Sequence, residues 1–158
     1  MKKSSVAILS TIIGVLAGAV TTGKITGNKI NEKVKKVDKF KSYYDVLNQW
    51  LILKQENKSL EKYFVNNNLK TIAIYGMGEM GNRLYEELKN TSINIKYAID
   101  KEAGSVYSDL NVLDLEDKLD QVDAIIVTAI FAFNKIEQDI SKVVNYKVIS
   151  LEEVVYEI

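Results

Sequence analysis

The chain of 158 residues contains no cysteine, no histidine and no proline, and Arg83 is its single arginine. Each absence removes a class of chemistry. Without Cys or His there is no zinc finger, no Cys–His nucleophile, no Ser–His–Asp triad and no disulfide framework. Acid–base work would fall to Asp, Glu, Lys or Tyr, which needs pKa values shifted by the fold. Hydrophobic residues make up 47% of the chain, enough to bury a core and to argue against wholesale disorder.

Net charge is also missing, because 21 basic residues balance 21 acidic ones. The balance is a sum over unlike pieces. Residues 1–23 carry +2 from Lys2 and Lys3; residues 24–70 hold eleven lysines against five acids, a net +6; residues 71–158 hold eight bases against sixteen acids, a net −8.

The first piece includes twenty uncharged residues from Ser4 to Gly23. At about 1.5 Å per residue this just spans a hydrocarbon layer of roughly 30 Å, so a membrane anchor over residues 1–23 is expected. A cleaved signal peptide competes, with Lys2 and Lys3 as its basic start and Ala17-Gly18-Ala19 as a small-x-small site. Lys24, Lys29, Lys33, Lys35 and Lys36 outnumber the charges ahead of the span, which favours a single-pass anchor at the cell membrane with the C-terminal domain in the cytoplasm. Gly14 and Gly18 form a GxxxG through which two such helices can pair, although Gly and Ala are common in membrane helices generally.

Residues 24–69 read as a basic juxtamembrane amphipathic helix. Ile30, Val34, Val37, Phe40, Tyr44, Leu47 and Leu51 recur at steps of three or four, and no Gly or Pro lies between Asn28 and Gly76 to stop the helix before about Phe64. The stripe 30–51 is a second candidate for homodimer contact. The lysines suit an anionic membrane surface. Nucleic acid is not expected as a partner, since the run lacks Arg and interleaved stacking aromatics.

Residues 70–158 hold the most informative pattern. The apolar run TIAIY is followed at once by Gly76-Met77-Gly78-Glu79-Met80-Gly81 and a helical segment; a second run, INIKYAI, then ends in Asp100, nineteen residues after Gly81. Strand, GxGxxG, helix, strand and acidic residue together form the dinucleotide-binding context. Gly76 permits the tight turn, Gly78 lets a phosphate approach the backbone, and Gly81 lets the helix pack on the sheet. The helix start favours a diphosphate, and Asp100 is placed to accept ribose hydroxyls and to repel a 2′-phosphate, with Lys101 beside it. VDAIIVTA and YKVISL read as further buried strands, with Thr128 and Ala129 at the tip of the first. The expected fold is α/β, a small Rossmann-like parallel sheet of about five strands preceded by a transmembrane helix and a long juxtamembrane helix. The candidate cofactor-binding residues are Gly76, Met77, Gly78, Glu79, Met80, Gly81, Asp100, Lys101, Thr128 and Ala129, with no catalytic and no metal-binding residues. Tyr85 and Lys89 spell the YxxxK of short-chain dehydrogenases, but on the helix directly after the glycine turn, the wrong place to reach a nicotinamide.

KTIAIYGMGEMGNRLYEELK, IKYAIDKEAG, LNVLDLEDKL and DAIIVTA resemble the Rossmann-type nucleotide-binding domains of bacterial surface-polysaccharide proteins. Such domains precede the acyltransferase part of sugar-nucleotide N-acetyltransferases, follow the membrane helices of polyprenyl-linked sugar epimerases/dehydratases and resemble CoA-binding-type domains. The resemblance covers about residues 70–158, with a helical segment often ahead of it. It implies that Gly76, Gly78, Gly81 and Asp100 bind NAD or a nucleotide-sugar, in support of cell-surface polysaccharide biosynthesis beside a partner such as a glycosyltransferase. Two other readings stand beside it: an NAD-dependent oxidoreductase or epimerase-like enzyme acting as a dimer, and a ligand-free membrane scaffold.

Overall fold

The computed structural model describes residues 32–105 and 108–158. The chain divides into two units, Met1–Lys41 and Ser42–Ile158. Helix α1 covers the described residues 32–55. The second unit continues with α2 (Glu61–Asn66), β1 (Thr71–Tyr75), α3 (Glu79–Leu88), β2 (Asn94–Ile99), β3 (Val112–Leu113), β4 (Ala124–Val127), α4 (Phe133–Ile140), β5 (Lys147–Ser150) and α5 (Leu151–Tyr156).

The five strands form one parallel sheet in the order β3-β2-β1-β4-β5. Strand order reverses between β1 and β4, the place where open α/β sheets leave a crevice at the carboxyl ends of their strands. Alternate residues of each strand serve opposite faces. Ile72, Ile74, Ala98 and Ile126 pack with Trp50, Phe64, Leu84 and Val155, whereas Ala73, Tyr75, Ile99 and Val127 pack with Ile136 and Ile140 of α4. The strands read as apolar runs because both faces are covered.

The expected transmembrane helix is corrected. Among the described residues no helix is long and apolar enough to cross a membrane. Residues 32–41 alone carry Lys33, Lys35, Lys36, Asp38, Lys39 and Lys41, a charge density that hydrocarbon does not accept. The apolar stretch 1–23, with Gly14 and Gly18, lies outside the described residues, as do the pairing and the cell-membrane, single-pass location read from it.

The long helix also ends earlier than its periodicity implies. Asn57 adopts a left-handed backbone with φ 57°, Lys58 N donates to Leu53 O at 2.9 Å and Asn57 N to Lys54 O at 3.1 Å. These two bonds make a Schellman cap with Asn in the position usually held by Gly. The device repeats after α2, where Asn68 has φ 55° and Leu69 N reaches Phe64 O at 2.9 Å.

Side chains distant in sequence fasten these pieces to the sheet. The Glu87 carboxylate on α3 accepts from Trp50 Nε1 at 2.6 Å and Leu60 N at 2.9 Å, and pairs with Lys54 Nζ at 2.5 Å. Tyr63 Oη donates to Glu153 at 2.6 Å, joining α2 to α5. Ahead of β1, Asp123 Oδ2 accepts from Lys70 N, Thr71 N and Thr71 Oγ1 at 2.7–2.9 Å.

Glu87→Ala strands the Trp50 indole N–H and the Leu60 N–H, and should cost about 1–3 kcal/mol in denaturant unfolding. Lys54→Met, which removes only a half-exposed cation, should cost less than about 1 kcal/mol. The bonds from Thr71 and Lys70 hold the Asp123 carboxyl below its ordinary pKa. Its folded pKa is then below its unfolded pKa, so its contribution is present above the unfolded value and disappears as pH falls through the folded one. Asp123→Asn should lower stability at pH 7 and flatten the acid limb of a stability–pH curve.

Candidate functional site

β1 ends at Tyr75, and the chain turns sharply at Gly76, whose φ of +93° is a conformation that L side chains rarely adopt. A Cβ at Gly76 would also lie 2.9 Å from Thr128 Oγ1. At Gly81 the constraint is purely one of space, since a Cβ there would lie 2.1 Å from the Gly76 carbonyl oxygen. Gly78 differs from both. Its φ of −69° is ordinary, and a Cβ added to it meets nothing within 4 Å.

The turn is held from three sides. Gly76 N donates to Ile99 O at 2.8 Å, extending the pairing with β2. Met77 N donates to Asp100 Oδ2 at 2.8 Å, and Asn82 Nδ2 reaches back to Met77 O at 3.1 Å. Thr128, 3% exposed, donates its hydroxyl proton to Gly76 O at 2.6 Å, with Tyr75 O at 3.2 Å. The first bond inside α3 runs from Asn82 N to Gly78 O at 3.0 Å. The N–H groups of Gly78, Glu79, Met80 and Gly81 therefore precede the helical ladder and have no acceptor within it. Gly78 is the N-cap and supplies no side-chain acceptor for them.

The candidate residues thus separate by position. Gly76 through Gly81 and Asp100 are brought together at the carboxyl ends of β1 and β2. Met77 and Met80 send their side chains into the core, leaving backbone as their contribution. Glu79 is exposed in the first helical turn, where its charge suits the helix dipole and opposes an anion. Thr128 stands beside the turn with its hydroxyl donated to it, a fastener between β4 and the glycines. Ala129 follows it and starts the 3-10 turn Ile130–Ala132. Lys101 is exposed and lines a separate cavity.

That cavity, about 210 Å³, opens at the ends of β1, β2 and β3 and is lined by Tyr75, Ile99, Lys101, Asp114 and Asp139 among others. Tyr75 is 4% exposed, and its phenol is pushed up in pKa by burial first and then by the negative charges of Asp100, Asp139 and Asp114. Neither Tyr75 nor Asn82 was among the residues singled out by motif. Asn82, directly after the last glycine, carries a recognisable capping side chain; Tyr75 reads as one more apolar strand residue. Among the described residues no group of three or more His, Cys, Asp or Glu is arranged to hold a metal ion. Tyr85 packs against the core, while Lys89 pairs with Glu86 at 2.7 Å and lies 5.8 Å from the Tyr85 ring centroid, on the flank of α3.

Gly81→Ala should destabilise the protein by about 1–3 kcal/mol, because the clash is with backbone and α3 must shift to relieve it. Gly78→Ser should leave the unfolding midpoint unchanged or raise it by a few tenths of a kcal/mol, since Ser caps a helix at least as well as Gly. Equal losses at the two positions in denaturant titrations would contradict this division of roles. Comparison with protein-family models, with curated proteins and with solved structures finds no match.

Proposed function

We propose that the chain binds a nucleotide-containing ligand, a dinucleotide or nucleotide sugar, through the turn from Gly76 to Gly81. Gly78 carries the proposal. Gly76 is accounted for by its φ and Gly81 by the approach of α3, but neither the backbone nor the packing requires a glycine at 78. Ser, Asp or Asn would cap α3 better. A bare backbone that faces open space beside four N–H groups lacking helical acceptors is what close approach of a phosphate needs.

Asp100 supports the ribose part of this reading. Oδ2 accepts from Met77 N, and Oδ1 accepts from Glu102 N at 3.0 Å. A carboxylate offers about four acceptor positions, which leaves room for ribose hydroxyls. The same charge disfavours a 2′-phosphate, so NAD or a nucleotide sugar fits better than NADP. A role in cell-surface polysaccharide assembly is the narrower form of the proposal and rests on the family resemblance alone. The proposal assigns binding and no reaction.

A thermal-shift panel on the full-length protein tests it, with NAD, NADP, CoA and UDP-sugars as ligands. At 100 times its dissociation constant a ligand adds about 2.7 kcal/mol, a rise of roughly 10 °C for a unit of this size. The expected result is a shift with at least one ligand whose ribose is unphosphorylated, abolished in Gly78→Ser while that variant melts at or above the parent temperature. No shift across the panel favours a ligand-free scaffold. A larger shift with NADP than with NAD would overturn the role given to Asp100.

A further inference from the structure

Tyr63, Tyr75 and Tyr97 are all buried, and two of them show what a buried phenol needs. Tyr63 Oη donates to Glu153 at 2.6 Å, and Tyr97 Oη donates to Asp120 O at 2.7 Å. Tyr75, 4% exposed, has no hydrogen-bond partner for its hydroxyl among the described residues. A buried tyrosine usually finds a partner, and where packing alone is required phenylalanine avoids the cost of an unmet hydroxyl. Among the described residues no fully enclosed side-chain oxygen or nitrogen lacks a partner, so the Tyr75 hydroxyl opens on the cavity that this residue lines.

Acceptors dominate that cavity. Asp114, Glu116 and Asp139 bring carboxylates, Lys101 an ammonium, and Ile99 and Leu115 apolar wall. After burial, the causes that raise the Tyr75 pKa are the charges of Asp100, Asp139 and Asp114, so the phenol faces these carboxylates. Asp139 Oδ1 is taken by Lys142 Nζ at 2.9 Å, whereas Asp114 uses Oδ1 for Glu116 N at 3.1 Å and keeps Oδ2 uncommitted. At about 210 Å³ the cavity is smaller than the roughly 300–1,000 Å³ filled by a whole drug-sized ligand, and it suits one part of a larger molecule. Asp100 N donates to Leu113 O at 3.0 Å, which sets residue 114 beside the carboxylate assigned above to the ribose. The part of a nucleotide one bond from its ribose is the base.

We propose that this cavity is a base subsite that selects adenine, through its exocyclic amino group, over uracil; the inference rests on the nucleotide reading of the glycine turn. Asp114 Oδ2 accepts from the amino group, and Tyr75 Oη donates to a ring nitrogen beside it. Uracil has no exocyclic amino group and turns carbonyl oxygens toward the carboxylates, acceptor against acceptor. A site built from hydrogen-bonding groups rejects an analogue without the matching donor far more strongly than an apolar pocket does. The two ligand classes left open by the turn are thereby separated: an adenine dinucleotide fits, and a uridine-based nucleotide sugar does not.

Calorimetric titration of the full-length protein with NAD and with deamino-NAD, in which a carbonyl oxygen replaces the adenine amino group, reads that group directly. NAD should bind at least about tenfold more tightly than deamino-NAD, and more tightly than UDP-glucose. Tyr75→Phe should weaken NAD binding about tenfold while its melting temperature stays level or rises, since the hydroxyl has no partner to lose. Asp114→Asn should narrow the difference between NAD and deamino-NAD, because an amide N–H can meet the carbonyl. Equal affinity for NAD and deamino-NAD, unaltered NAD affinity in Tyr75→Phe, or tighter binding of UDP-glucose than of NAD would each overturn the base assignment and leave the role of the turn intact. Binding of none of the three ligands would overturn this proposal and the reading of the turn together.

Discussion

The Gly81 backbone sits so close to the carbonyl of Gly76 that a single added carbon would lie 2.1 Å from that oxygen. This contact sets where α3 begins and how near it lies to the sheet, and through Leu84 and Leu88 it sets how α3 fills the core. Glu87, one position before Leu88, can then receive the Trp50 indole and the Leu60 amide. The packing of the preceding helical segments in this unit thus depends on a backbone approach that only glycine permits.

Around that contact the fold uses polar groups as fasteners. Thr128 ties β4 to Gly76, Asp100 ties the end of β2 to Met77, and Asn82 ties α3 back to the same turn. Each satisfies a backbone group that would otherwise be costly to leave unpaired near the core. These bonds fix the conformation of the turn, a pre-organisation that would favour the proposed binding. What stays uncommitted is the row of amides at the start of α3 and part of the Asp100 carboxylate, and these are the groups on which nucleotide recognition is proposed to rest.

The balanced total charge conceals a division of labour. The basic residues gather on α1 and the acidic ones on the α/β unit.

Much of the sheet was legible along the chain. TIAIY, NIKYAI, AIIV and KVIS are apolar or alternating runs whose burial follows from composition, and the glycine spacing with Asp100 places β1, α3 and β2 in order. The two-residue β3 is legible only as part of a short irregular strand or turn region over residues 105–113, because its place comes from pairing with Ala98 and Ile99. The end of α1 was missed for another reason. Asn57 can adopt the left-handed cap as glycine does, but most asparagines do not, and its use depends on whether the next segment packs back.

The sequence by itself determined the elements and the chemistry available at the glycine turn, because those follow from spacing between near neighbours. Tertiary structure alone decided which of those groups are already engaged. Thr128 and Asp100 look like ligand contacts until Gly76 and Met77, 52 and 23 residues away, take up part of their hydrogen bonding. The three motif glycines look alike until distances across the turn show two committed to the fold and one, Gly78, open. Such distinctions depend on distances of a few ångströms between residues far apart in the chain, which only folding sets.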